Sequence, residues 1–135
     1  MTDGSSDCNN GICRVLIVED NTDLARLLER SLETHGHKAE VTRNGTEAIV
    51  VAERQWPHIA LIDIGLPGLD GFYVARELRR IVPDAMLIAV TGRDDPEIRA
   101  AALATGFNHY FPKPVELRTI LDLLDDWKSK SGCAA

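Results

Sequence analysis

The sequence predicts a doubly wound α/β domain: a five-stranded parallel sheet covered on both faces by five helices. Three observations predict it. Val15 to Val18, Ile59 to Ile62 and Met86 to Val90 are apolar throughout, as strands buried on both faces are. Segments of helical periodicity alternate with these runs, and right-handed crossovers then place helices on both sides of the sheet. Polar residues close the strands at their carboxyl ends, the edge where open sheets of this kind hold ligands.

Taken in order, MTDGSSDCNNG is too polar to offset its ordering entropy, and residues 1–11 are expected to form a disordered tail. The first strand, Val15 to Val18, ends in Glu19 and Asp20. Asn21 suits an N-cap, Leu24, Leu27, Leu28 and Leu32 recur at helical spacing, and Gly36 supplies a stop. Ala39 to Thr42 is a shorter, more polar strand. A second helix follows Asn44 with Ala48, Ile49 and Ala52 inward, and Trp56-Pro57 closes it. The third strand, Ile59 to Ile62, ends in Asp63. A turn-rich loop, Gly65 to Gly71, leads into a helix carrying Phe72, Ala75, Leu78 and Val82. Met86 to Val90 stops at Thr91-Gly92, and Asp95-Pro96 starts a fourth helix that Gly106 ends. Phe107 to Phe111 is the fifth strand, running into Pro112-Lys113-Pro114. The last helix is expected from about Val115 to Trp127, with Leu117, Ile120, Leu121 and Leu124 inward. Leu123 and Trp127 on that helix are read as packing against the sheet, with a partner or dimer surface as the second reading. One domain is expected over residues 12–128, with residues 129–135 as a C-terminal tail.

At 135 residues the chain has room for one domain, and a chain of that size buries roughly two-thirds of its extended surface. Fifteen basic against 21 acidic residues give a net charge of −6, which argues against direct binding to nucleic acid. The apolar runs are far shorter than a membrane span, and the N-terminus has neither the basic nor the apolar region of a signal peptide. A cytoplasmic location is therefore expected. Cys8, Cys13 and Cys133 form an odd set without a CxxC pair, so neither disulfide nor metal roles are expected of them.

Glu19, Asp20, Asp63, Thr91 and Lys113 each follow a different buried strand or its neighbour and should converge on one edge. Three carboxylates held within a few ångströms repel one another by several kcal/mol at an effective dielectric of about 20. A cation must compensate them, and Mg²⁺ suits a site of oxygen ligands that keeps several waters while awaiting a phosphate. Lys113 adds a point charge for one phosphoryl oxygen and the Thr91 hydroxyl a donor for another. The set describes a phosphoryl-transfer site with Asp63 as nucleophile. Taken singly, each residue also has a plainer role: acids cap helices, threonine favours strand ends and lysine is usually solvated.

The segments VLIVEDN, LIDIGLPGLDG, AVTG and YFPKP, in this order, resemble the receiver domain of two-component response regulators over about Arg14 to Lys128. That resemblance implies a CheY-like, flavodoxin-like sheet of strand order 2-1-3-4-5, and a phosphorelay in which Asp63 takes a phosphoryl group from a phosphohistidine. It implies that Asp20, Asp63 and the Gly65 carbonyl hold Mg²⁺, with Glu19 assisting directly or through water. Lys113 and Thr91 would bind the phosphoryl oxygens, Tyr110 would be the switch aromatic, and the Lys113-Pro114 bond is cis in many relatives. The implied partners are a histidine kinase or histidine phosphotransfer protein upstream and a protein downstream, with a phosphorylation-dependent homodimer as a further assembly and no membrane or nucleic acid. The chain would be no enzyme beyond catalysing its own phosphorylation and dephosphorylation. Gly65 and Arg93 occupy positions that resemble those tuning self-dephosphorylation, and Gly92 stands where alanine is commoner. His109 is read as a rim or packing residue.

Several alternatives have distinct signatures. The chain can be a stand-alone receiver or one cut from a hybrid sensor kinase. A haloacid-dehalogenase-like phosphatase needs a second Asp where Gly65 stands. A flavodoxin-like electron carrier needs a phosphate loop where Glu19-Asp20-Asn21 would repel the phosphate. A pseudo-receiver scaffold would not need the complete set of acids, hydroxyl and amine.

Overall fold

The protein is described by a computed structural model covering residues 11–65, 71–93 and 95–130. Expectations for residues 1–10, for Leu66 to Asp70 and for residues 131–135 lie outside the described residues. The strands are β1 (Arg14–Val18), β2 (Lys38–Thr42), β3 (Ile59–Asp63), β4 (Met86–Thr91) and β5 (His109–Pro112). The helices are α1 (Thr22–Thr34), α2 (Gly45–Gln55), α3 (Gly71–Ile81), α4 (Pro96–Thr105) and α5 (Leu117–Lys130). The sheet has the order β2-β1-β3-β4-β5, and every pairing is parallel.

The continuous apolar runs divide by alternation between two cores. Leu16, Val18, Ala60, Ile62, Leu87 and Ala89 face α2, α3 and α4, where they meet Val51, Val74, Leu78 and Ala102. Val15, Ile17, Ile59, Leu61, Ile88 and Val90 face the other side and meet Leu32 of α1 with Ile120, Leu124 and Trp127 of α5. Truncating a fully buried leucine or isoleucine among them to alanine costs about 2–5 kcal/mol.

Asn21 is the N-cap expected of it, and Asn44 and Asp95 cap their helices in the same way. Asn21 Oδ1 accepts the Leu24 N–H at 3.0 Å, Asn44 Oδ1 that of Glu47 at 2.9 Å, and Asp95 Oδ1 that of Glu97 at 2.8 Å. Gly36, at φ +90°, and Gly106, at φ +127°, follow α1 and α4 in a region that L side chains rarely adopt.

Several boundaries differ from expectation: β1 begins at Arg14 rather than Val15, and β3, β4 and β5 run one residue further, to Asp63, Thr91 and Pro112. β2 begins one residue earlier, at Lys38. β5 begins at His109 rather than Phe107, because Asn108 imitates strand pairing: its N–H donates to the Leu87 carbonyl and its Oδ1 accepts the Leu87 N–H, both at 2.7 Å. Phe107 instead turns into the core. α5 spans Leu117–Lys130 rather than Val115 to Trp127, so Ser129 and Lys130, read as tail, are helical. Lys128 and Lys130 pair with Asp125 and Asp126 and complement the negative end of the helix dipole. Lys128 also donates to the Gly11 carbonyl at 3.1 Å, tying the last residue of the expected N-terminal tail to α5.

Trp127 is buried, with its ring 4.7 Å from that of His58 and its indole N–H directed to the Asp84 carbonyl at 3.4 Å. Packing, not docking, accounts for it. Among the described residues no helix is long and apolar enough to cross a membrane.

Candidate functional site at the carboxyl edge of the sheet

Strand order reverses at β1, where β2 lies on one side and β3 on the other, so the chain segments leaving β1 and β3 diverge and open a crevice. Asp63 closes β3 and is buried but for 5% of its surface. Its Oδ1 accepts the Gly65 N–H at 2.8 Å, and its Oδ2 accepts from Lys113 Nζ at 2.6 Å. The same ammonium lies 2.9 Å from Oε1 of Glu19, whose Oε2 accepts the Asn21 N–H at 3.0 Å. The compensating cation is therefore Lys113, bridging two acids from separate strand ends. Burial lowers the Lys113 pKa, but the hydrogen bonds and charges of Asp63 and Glu19 outweigh it and leave the net shift upward. The amine is charged throughout the physiological range.

Two backbone features hold Lys113 there. Its N–H donates to the Thr91 carbonyl at 2.7 Å, fixing the end of β5 to the end of β4, and the Lys113-Pro114 peptide is cis. Thr91 is buried, and its Oγ1 accepts the Arg93 N–H at 3.1 Å. Gly65 faces the same space: a Cβ there would sit 3.4 Å from Asp63 Oδ1 and 3.7 Å from Thr91 Oγ1. Asp63, Gly65, Thr91, Lys113 and Glu19 thus share one edge. Asp20, next to Glu19, is exposed at its lip.

Among the described residues no group of three or more His, Cys, Asp or Glu side chains is gathered around one point. The donor set still fits Mg²⁺ in its usual open mode, with one or two carboxylates, a carbonyl and waters. Asp63, the adjacent acids and the Gly65 carbonyl would supply those oxygens.

Beside these charges lies a cavity of about 410 Å³, walled by Leu24 and Leu28 of α1, Leu61 and Val90 of the sheet, and Ile120 of α5. His109 packs beside Phe111, ring centroids 6.1 Å apart, and burial lowers its pKa. Tyr110 is buried, its hydroxyl donating to the Arg93 carbonyl at 3.0 Å. Sequence reasoning did not find the sharing of Lys113 by Glu19, or the Arg93 peptide as the group joining Thr91 to Tyr110. Backbone hydrogen bonds carry no residue-type signal.

The family model for the response regulator receiver domain matches residues 15–125. The chain belongs to that family. A curated relative, the response regulator MprA of Mycobacterium leprae, is 35% identical over 108 residues, covering 80% of this chain and 47% of its own length. The chain thus spans about half the length of the curated relatives it matches. A response regulator of Burkholderia pseudomallei, with a phosphorylated aspartic acid, a calcium ion and citrate, superposes with a TM-score of 0.80 at 26% identity, over 89% of this chain and 71% of its own. The receiver domain of Ssk1 from Saccharomyces cerevisiae, in complex with the histidine phosphotransfer protein Ypd1, gives a TM-score of 0.79 at 26% identity, over 87% of this chain and 90% of its own. The observed strand order and five helices are those of the CheY-like fold.

Proposed function

We propose that this receiver takes a phosphoryl group from a phosphohistidine onto Asp63 and passes the change to a protein partner through the surface of α4, β5 and α5. The observation that carries the reading is the Asp63 carboxylate. It stands at the switch point of the sheet, one oxygen on the Gly65 N–H and the other on the Lys113 ammonium.

In the proposed step an Asp63 oxygen attacks phosphorus, the P–N bond to the donor imidazole breaks, and the imidazole leaves with its electron pair. Charge builds on the equatorial phosphoryl oxygens, and the Lys113 ammonium and Thr91 hydroxyl are placed to stabilise it. Mg²⁺ held by Asp20, Asp63 and the Gly65 carbonyl, with Glu19 assisting, would neutralise further negative charge. The chain in this reading catalyses its own phosphorylation and dephosphorylation and no other reaction.

The product carries about −1.5 to −2 charge in place of the carboxylate's −1, and it sets new acceptor oxygens beside Thr91. Its hydroxyl, now accepting from Arg93, is drawn toward the phosphoryl group as a donor. The Arg93 peptide also holds the Tyr110 hydroxyl, so the movement reaches β5 and α4. The donor in this reading is a histidine kinase or a phosphotransfer protein, supported by the likeness to a receiver solved with Ypd1.

Transfer from a purified, phosphorylated histidine phosphotransfer protein tests the reading. Label is expected on the wild type with Mg²⁺, with strong reduction after chelation and none on Asp63→Asn. Label retained by Asp63→Asn moves the acceptor elsewhere.

A further inference from the structure

Tyr110 is fastened from several directions by the segment that leads from β4 into α4. Its hydroxyl donates to the Arg93 carbonyl at 3.0 Å and accepts the Asp95 N–H at 3.4 Å. The Arg99 guanidinium lies 4.8 Å from the centroid of its ring. Asp95 caps α4, and the Arg99 N–H donates to the Asp95 carbonyl at 2.9 Å, so hydroxyl and ring are both held by the first turn of that helix. The Arg93 peptide faces both ways, with its N–H on Thr91 Oγ1 and its carbonyl on Tyr110.

A guanidinium is drawn to the electron-rich face of a phenol ring only while the ring lies beneath it. Tyr110 is buried, whereas Arg99 is exposed. The arginine therefore covers the ring from the solvent side, and rotation of the ring outward gives up that contact together with both bonds to the hydroxyl. Arg99 stands outside the cluster of Asp63, Lys113 and Glu19, so the chemistry of phosphoryl acceptance does not require it.

We propose that Arg99 is a positioning residue for the readout: it holds the Tyr110 ring inward and thereby couples the first turn of α4 to the Thr91 hydroxyl. This rests on the reading of Asp63 as acceptor and Tyr110 as its reporter. An exposed cation over an aromatic face shifts the ratio of inward to outward ring by roughly two- to fivefold. An effect of that size biases the ring without locking it, which a reversible readout needs.

The chain has two tyrosines, Tyr73, about half exposed, and Tyr110, buried. Fluorotyrosine labelling then gives two ¹⁹F resonances, assigned with Tyr73→Phe, and the shift of each between H₂O and D₂O reports solvent exposure. In the wild type the Tyr110 resonance is expected to respond weakly. In Arg99→Ala it should move toward the response of Tyr73, with the inward population ratio down two- to fivefold. Arg99→Lys, which keeps the charge, should recover part of the difference, and Arg99→Met, which keeps the length without the charge, should not. An Arg99→Ala resonance identical to the wild type overturns the proposal, and so does Arg99→Met matching Arg99→Lys. Beryllofluoride with Mg²⁺ separates this from the underlying reading. If it leaves the wild-type Gly65 and Thr91 amides unmoved, the acceptor assignment fails, whereas the Arg99 comparison made without it still decides the role of Arg99.

Discussion

Replacing Lys113 by Met removes the ammonium and keeps most of the side chain's volume. The Lys113 side chain is 25% exposed, and those of Glu19 and Asp63 are each 6% exposed. With bonds of 2.9 and 2.6 Å to one nitrogen, the two carboxylate oxygens lie at most about 5.5 Å apart, where repulsion is about 3 kcal/mol at an effective dielectric of 20. Breaking a buried pair by removing one partner costs about 3–5 kcal/mol. Partial exposure of the lysine and the remaining donors, the N–H groups of Gly65 and Asn21, reduce that figure. A loss of about 2–3 kcal/mol at pH 7 is expected from urea unfolding, on the scale of the repulsion alone. Adding Glu19→Gln to Lys113→Met should recover a large part of the loss, because one neutral partner remains beside Asp63. A variant as stable as the wild type would refute the bridging geometry.

The remaining predictions concern other parts of the molecule. Gly71→Ala places a Cβ 2.9 Å from the Ile64 Cα and 2.7 Å from its Cγ2; since a backbone atom cannot step aside cheaply, thermal unfolding should show a loss of about 1–3 kcal/mol. His37 Nδ1 accepts the Cys13 N–H at 3.1 Å, and burial, reinforced by Lys128, lowers the His37 pKa below its ordinary 6.5. The unfolded chain then binds the proton first, so His37 gives its full stability above about pH 6.5 and loses it below, at up to about 1.4 kcal/mol per pH unit. His37→Gln should flatten that acid limb in denaturant titrations, and an unchanged slope would remove His37 from it. Burial pushes the Cys13 thiol up to about 11, so at pH 8 about a thousandth is thiolate. Iodoacetamide on the native protein, followed by peptide mapping, should leave Cys13 unmodified, and rapid alkylation there would contradict its burial.

The sequence carried most of the architecture because buried parallel strands have a composition of their own. β1, β3 and β4 are visible as apolar runs, and Asn21, Asn44 and Asp95 declare their helices through local cap chemistry. β5 was less legible: Asn108, a polar side chain, pairs with the backbone of Leu87, so nothing local separates Phe107 from the strand that follows. At the site, the convergence of Asp63, Thr91 and Lys113 follows from strand ends meeting at a switch point. The division of Lys113 between two acids does not, since it depends on side-chain geometry within one turn of each strand end. His37 and His58 were not singled out for the same reason. Their Nδ1 atoms accept the N–H groups of Cys13 and Arg14, neighbours at the start of β1, from the residues that lead into the flanking strands β2 and β3, and those contacts span 24 and 44 residues.

The most direct measurement is the mass of the protein after incubation with acetyl phosphate and Mg²⁺, taken intact and then peptide by peptide. One phosphoryl group is expected, on the peptide containing Asp63, and none on Asp63→Asn. A phosphoryl group on any other residue, or the same gain in Asp63→Asn, would contradict the account.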